Sequence, residues 1–146
     1  MKTLAIESSC DETSVAILQD GREVLANIVA SQIDTHKKYG GVVPEIASRQ
    51  HVEAINTVIE EAFEKSKLNY SDIDLIAATR GPGLIGALLV GLSAGKAMAL
   101  SLNKPFLGIN HIMGHVCANY ISHKELKPPF IGLIISGGHT YLIDVK

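Results

Sequence analysis

Cysteine is nearly missing from this chain: Cys10 and Cys117 are the only two, and they stand in no metal-binding or redox spacing. That leaves no disulfide framework to read, and the usage suits a reducing compartment. An excess of either charge is lacking as well, because 13 Lys and Arg face 15 Asp and Glu for a net charge of −2. Nothing of that kind announces a nucleic-acid partner, so an RNA substrate would need a local patch or help from other chains. The opening, Met1 to Glu7, has too short an apolar run for a signal peptide. The longest apolar stretch, Leu84 to Leu102, holds Lys96 and several glycines and reads as a buried helix rather than a membrane span. The expectation is a cytoplasmic protein with no membrane partner. What is present is ample: 146 residues, 47% of them hydrophobic and 19% charged, suffice for one folded domain with a real core.

Periodicity divides the chain. Thr3 to Glu7 and Ser14 to Gln19 are short apolar runs on either side of a polar loop, Ser8 to Thr13. Asp20-Gly21 then turns the chain into Arg22 to Val29, which alternates as a strand does. Pro44 suits the first position of a helix. From Ile46 and Ala47 through Val52, Ile55, Val58, Ile59, Ala62 and Phe63, apolar residues recur at helical spacing up to Lys67. A strand (Ile73 to Thr79), a helix (Leu84 to Leu102), a strand (Phe106 to Asn110) and a helix (His111 to Ser122) follow. Beyond Pro128-Pro129, two last strands, Ile131 to Ser136 and Thr140 to Val145, are joined across Gly137-Gly138. The order βββαβαβα, then a β-hairpin, predicts an α/β fold: a mixed sheet with helices on both faces. The opening unit of strand, polar loop and strand is echoed at the end by strand, Ser136-Gly137-Gly138-His139 and strand. A chain that starts a second copy of its own opening looks cut short.

Four segments carry chemistry. Asn110-His111-Ile112-Met113-Gly114-His115 sets two histidines four residues apart at a helix start. Residues at i and i+4 share a helix face, so the imidazoles can grip one metal ion. The plain alternative is a chance pair on a capped, partly exposed helix. A zincin carries Glu where Ile112 stands, so a metalloprotease lacks its general base. Gly81-Pro82-Gly83-Leu84-Ile85-Gly86 matches the glycine pattern of dinucleotide sites. Three strands and a long helix precede it, however, and Asn110 stands where the acidic residue is expected. A tight turn with close helix packing accounts for the glycines, and a phosphate on the free helix N-terminus is the functional alternative. The loop Glu7-Ser8-Ser9-Cys10-Asp11-Glu12-Thr13 can cradle a phosphate or orient an amine, with Asp11 or Glu12 as proton acceptor. A solvated turn that satisfies its own backbone is the other reading. Ile134-Ile135-Ser136-Gly137-Gly138-His139 is either a simple hairpin or a second loop for phosphate or carbonyl.

Taken in order, these segments closely resemble one family. Glu7 to Thr13, Gly40-Gly41-Val42-Val43-Pro44-Glu45 with Ala47-Ser48-Arg49 and His51, Gly81-Pro82-Gly83-Leu84, His111-x-x-x-His115 and Ser136-Gly137-Gly138-His139 resemble the TsaD family. That family was long labelled Gcp or O-sialoglycoprotein endopeptidase, and its members are the catalytic subunits of tRNA threonylcarbamoyladenosine (t6A) synthesis. The resemblance covers the whole chain. Asn110 departs from it, since many members carry a further histidine there.

The resemblance implies an actin-like ATPase fold (ASKHA, ribonuclease H-like) of two similar lobes with the site in the cleft between them. It implies transfer of the threonylcarbamoyl group from threonylcarbamoyl-AMP to N6 of adenosine 37 in tRNAs that read ANN codons. His111 and His115 would bind one divalent metal ion, iron or zinc, with an aspartate of the second lobe. Ile134, Ile135, Ser136, Gly137 and Gly138 would lie against the substrate. Asp11, with Glu12 beside it, would assist proton loss from the amine. The implied partners are tRNA and, in a bacterium, a same-fold TsaB-like subunit and a TsaE-like ATPase subunit. Pairing with such a subunit, or a possible homodimer, would use the Glu45 to Lys67 and Leu84 to Leu102 helices. Family members are longer, so residues 1–127 are expected to be the N-terminal lobe and 128–146 the opening hairpin of a second lobe. Such a fragment would be inactive alone, and its hairpin edge should pair with its own lobe or with another copy. Three readings compete: a metalloprotease, which lacks its base; a non-catalytic partner of the same fold, which would lack the histidine pair; and a sugar kinase, in which that pair has no role.

Overall fold

The computed structural model describes residues 1–136 and 140–146. Gly137, Gly138 and His139, where the sequence predicts the final turn, lie outside the described residues. β1 (Lys2–Glu7), β2 (Glu12–Gln19) and β3 (Glu23–Ser31) form an antiparallel meander. Asp20 and Gly21 turn the chain between β2 and β3 at φ of 51° and 69°, the positive values that match hairpin twist. β4 (Leu75–Gly81) pairs parallel with β1, and β5 (Phe106–Asn110) pairs parallel with β4. The sheet order is β3-β2-β1-β4-β5.

Alternation along the strands decides which side each residue serves. Leu4, Ile6, Val15, Ile17, Ile76 and Ala78 face a core closed by α2 (Pro44–Ser66) and α3 (Ile85–Leu102). α2 buries Ala47, His51, Ile55, Val58, Ile59, Ala62 and Phe63, one stripe at steps of three and four. Burying each large apolar side chain contributes about 1.5–3 kcal/mol, so this stripe, more than helix propensity, holds α2. Val52 does not belong to the buried stripe: it is 61% exposed, and His51, one step back, takes the inward place. The glycines of α3 let it lie close to the sheet. A Cβ on Gly95 would stand 3.0 Å from the Phe106 ring and 3.3 Å from the Ala78 Cβ. By length and composition α3 would pass for a membrane span, yet it packs along the sheet through Ala87, Leu88, Gly91, Gly95 and Ala99.

The other face of the sheet carries α4 (His111–Ser122), laid over the ends of β4 and β5. Helices therefore cover both faces, as the sequence predicts. The observed order adds α1 (Ile33–Lys37) between β3 and α2, and a single 3-10 turn, Tyr70–Asp72, before β4. Five residues are too few to show a period, and α1 is placed by side chains: His36 Nε2 lies 3.0 Å from Gln32 Oε1, and the Val43 N–H donates to His36 Nδ1 at 3.3 Å. β6 (Phe130–Ile135) and β7 (Thr140–Val145) form a separate antiparallel pair. That pair meets the lobe through α4, where the Tyr120 and Phe130 rings stand 5.9 Å apart, and does not extend the main sheet. Pro128-Pro129, just before β6, brings no N–H donor with which to join a ladder.

Candidate functional site

β1, β4 and β5 run parallel, so their carboxyl ends open on one side, where α/β sheets receive ligands. Glu7 ends β1, Thr79 lies near the end of β4, and α4 begins at His111 directly after β5. Asn110 makes that beginning sharp: its Oδ1 accepts the N–H groups of Ile112 at 2.9 Å and Met113 at 3.3 Å. This is an N-cap. The residue that departs from the family resemblance thus starts the helix that carries both histidines.

His111 and His115 are brought together as expected. Their Nε2 atoms are 3.0 Å apart, with ring planes at 81°. Zinc–imidazole bonds of about 2.0–2.1 Å at ordinary coordination angles hold two nitrogens about 3 Å apart, so this donor pair fits a divalent ion of borderline softness. Among the described residues no set of three His, Cys, Asp or Glu side chains converges on one point.

Behind His111 stands Glu7, to which the sequence assigned no role. Its Oε2 accepts from Thr79 Oγ1 at 2.6 Å and lies 3.1 Å from His111 Nδ1, while the Ser9 N–H donates to Oε1 at 2.5 Å. Burial pushes the Glu7 carboxyl up, but hydrogen bonds from Ser9, Thr79 and His111 outweigh it and hold the group below the usual carboxylate range. A charged residue closing the apolar run Leu4-Ala5-Ile6 was the available signal.

The loop between β1 and β2 is tied down on every side. The Ser8 hydroxyl donates to the Ala87 carbonyl of α3 at 2.8 Å and accepts the Gly91 N–H at 3.1 Å. The Leu84 N–H donates to the Ser9 carbonyl at 2.8 Å, and a Cβ on Gly83 would sit 2.6 Å from that same oxygen. The glycine run before α3 therefore serves close packing against this loop. His51, 0% exposed, reaches from α2 to the Cys10 carbonyl with Nε2 (3.0 Å) and to Thr13 Oγ1 with Nδ1 (2.7 Å). A carbonyl only accepts, so Nε2 carries the proton and the Thr13 hydroxyl donates to Nδ1.

Around the remaining predicted residues lie three cavities, one of them a space of about 530 Å³ between α4 and β6 bounded by His115, Ile134, Ile135 and Ser136. Ile134 and Ser136 join His111, His115 and Ser9 around a cavity of about 210 Å³. Ile112, where a protease base would stand, also lines it. Ile135 points the other way and is 72% exposed. Gly137 and Gly138 lie outside the described residues. Asp11 lines an adjoining open cavity with His36, Lys37 and Gly40-Gly41, and Glu12 is exposed at the start of β2. Burial, with the Asp11 carboxylate beside it, pushes the Cys10 thiol up, which makes it a poor nucleophile.

A family model described as TsaD, tRNA N6-adenosine threonylcarbamoyltransferase, matches residues 23–146. The chain belongs to the TsaD family. A relative of that same description from Clostridioides difficile (strain 630) is 65% identical over 144 residues, covering 99% of this chain and 43% of that protein. Another, from Clostridium kluyveri, is 60% identical over 146 residues, covering 100% of this chain and 43% of its own length. The chain thus spans under half the length of the TsaD relatives it matches. Among solved structures, YeaZ from Pseudomonas aeruginosa superposes with a TM-score of 0.56 at 22% identity, over 75% of this chain and 45% of that one. An uncharacterized protein described as similar to peptidase YEAZ from Pseudomonas aeruginosa gives 0.62 at 18% identity, over 99% of this chain and 64% of that one. These two likenesses establish the fold, an actin-like lobe. Within the TsaD family, then, this chain contributes the histidine pair, the loop after β1 and the glycine turn before α3.

Proposed function

We propose that this chain is the N-terminal lobe, residues 1–127, and the first hairpin of the second lobe, residues 128–146, of a cytoplasmic t6A-forming transferase. The reaction of the whole protein is transfer of the threonylcarbamoyl group from threonylcarbamoyl-AMP to N6 of adenosine 37 in tRNAs reading ANN codons. The observation that carries this reading is the convergence of His111 and His115 at the strand ends, in a chain matched by the TsaD model. A divalent ion, iron or zinc, held by these two nitrogens and a ligand from outside this chain would polarise the carbamoyl carbonyl as a Lewis acid.

The chain's own groups do the rest. The N6 amine forms a bond to the carbamoyl carbon, the bond from that carbon to the AMP oxygen breaks, and the amine proton is taken up by Asp11, with Glu12 beside it. Ile134 and Ser136, which line the cavity beside the histidines, would lie against the donor, with Ile135 next to them in β6 and Gly137 and Gly138 following outside the described residues. His51 and Ser8 keep the Asp11 loop in place between α2 and α3. The partners are tRNA, a TsaB-like subunit on the outer side of α2 and α3, and a TsaE-like ATPase subunit. That outer side carries Val52, Ile85, Leu89 and Leu100 exposed, which supports a protein partner there.

The test is transfer of labelled threonylcarbamoyl to an ANN-reading tRNA transcript by the whole protein with its partners. His111→Ala and His115→Ala each should reduce transfer at least about 100-fold, the scale of a lost Lewis acid worth several kcal/mol. Undiminished transfer by Asp11→Ala would remove Asp11 from the mechanism, and no incorporation by the unaltered protein would remove the reading itself.

A further inference from the structure

His111 has two ring nitrogens, and only one can serve as a ligand. What decides which one is free lies behind the ring, at the end of β1. Glu7 and Thr79 stand side by side because β1 and β4 pair in parallel with Ile6 opposite Ala78. From there the carboxylate reaches the first residue of α4. An ionised carboxylate has no proton to give, so the 3.1 Å approach of Glu7 Oε2 to His111 Nδ1 requires an N–H on that nitrogen. The Ser9 hydroxyl, 3.2 Å from the same Nδ1, does not reverse that choice, since a lone pair on Nδ1 would face the negative oxygen 3.1 Å away. The lone pair is left on Nε2, the atom that faces His115. Both Glu7 oxygens are engaged, by Thr79 and His111 on one and the Ser9 N–H on the other, so the carboxylate cannot swing away as a free base.

We infer that Glu7 is a positioning residue that locks His111 in its Nδ1–H tautomer and so presents Nε2 as a metal ligand. This rests on the reading of His111 and His115 as ligands. Carboxylates in this place behind a ligating histidine raise its basicity and fix its ring, and their loss typically weakens metal binding 10–100-fold.

The tautomer of His111 is measured by nitrogen NMR of the metal-free chain, at a pH where histidine is neutral, and Zn²⁺ affinity by titration of the same samples. In the unaltered chain His111 should be the Nδ1–H form. Glu7→Gln keeps the shape, but its carbonyl accepts more weakly than a carboxylate, and its amide must turn a donor toward either Ser9 or Thr79. It should therefore shift His111 toward the Nε2–H form and weaken Zn²⁺ about 10-fold, with Glu7→Ala reaching the upper end of the 10–100-fold range. If Glu7→Ala does not fold, the isosteric variant and the unaltered chain still decide. Thr79→Val, which removes the neighbouring bond to the same oxygen, should leave the tautomer alone. An Nε2–H His111 in the unaltered chain, or a Glu7→Gln chain with tautomer and affinity both unchanged, would overturn the assignment. The ligand reading fails separately, if His111→Ala and His115→Ala leave Zn²⁺ affinity as it was.

Discussion

A buried imidazole in the apolar stripe of a helix is costly unless both nitrogens are used, and His51 of α2 uses both. Its Nε2–H donates a hydrogen bond to the Cys10 carbonyl and its Nδ1 accepts one from the Thr13 hydroxyl, which fastens α2 to the loop after β1. Replacing it with alanine strands a carbonyl and a hydroxyl, each at about 1–3 kcal/mol, and opens a void as well. His51→Ala should therefore lose about 3–5 kcal/mol by urea denaturation. Amide exchange should quicken first in residues 8–13, and a loss under 1 kcal/mol would mean that the loop holds itself. In the sequence, His51 was visible only as part of a motif. Nothing local distinguished it from Val52, the apolar neighbour that turns outward.

At the scale of elements, α4 carries an evident weakness. Gly114 is the fourth residue of α4, between the histidines, and a Cβ there would meet nothing within 4 Å. Gly114→Ala should stabilise by about 0.5–1 kcal/mol, the ordinary helix difference, read as a higher Tm with the His111–His115 geometry kept. A lower Tm would mean that the gap of about 170 Å³ under α4 is smaller than it measures. α2 and β3 were legible because a period of 3.6 or 2 repeats often enough in each to be read, while α3, β1 and β2 were legible as apolar runs bounded by turn residues. α1 was not, since five residues held by Gln32 and His36 carry no period. The site was half legible for the same reason. The histidine pair is a local spacing on one helix, whereas Glu7 meets His111 from 104 positions away, through strand pairing that no spacing encodes. The sequence assigned Asp11 and the histidines to one reaction without fixing their placement, and the loop delivers Ser9 to the histidines and Asp11 to another cavity.

For the whole molecule, the outer stripe of α3 matters most. Ile85, Leu89 and Leu100 are 78%, 57% and 85% exposed, on one line of the helix, and they contribute little to the fold while they face water. The double variant Leu89→Glu, Leu100→Glu should keep its unfolding free energy within about 0.5 kcal/mol, as surface changes do. It should also lose association with a same-fold partner in sedimentation. Retained association would move the interface elsewhere.

The inner side of that same helix grips Ser8, whose hydroxyl is wedged between the Ala87 carbonyl and the Gly91 N–H. A hydrogen bond tolerates only a few tenths of an ångström of stretch before it weakens steeply. Helix and loop therefore translate together. The outer face of α3 is thus tied, through Ser8 and through the Leu84 N–H on the Ser9 carbonyl, to the strand end where Glu7 meets His111.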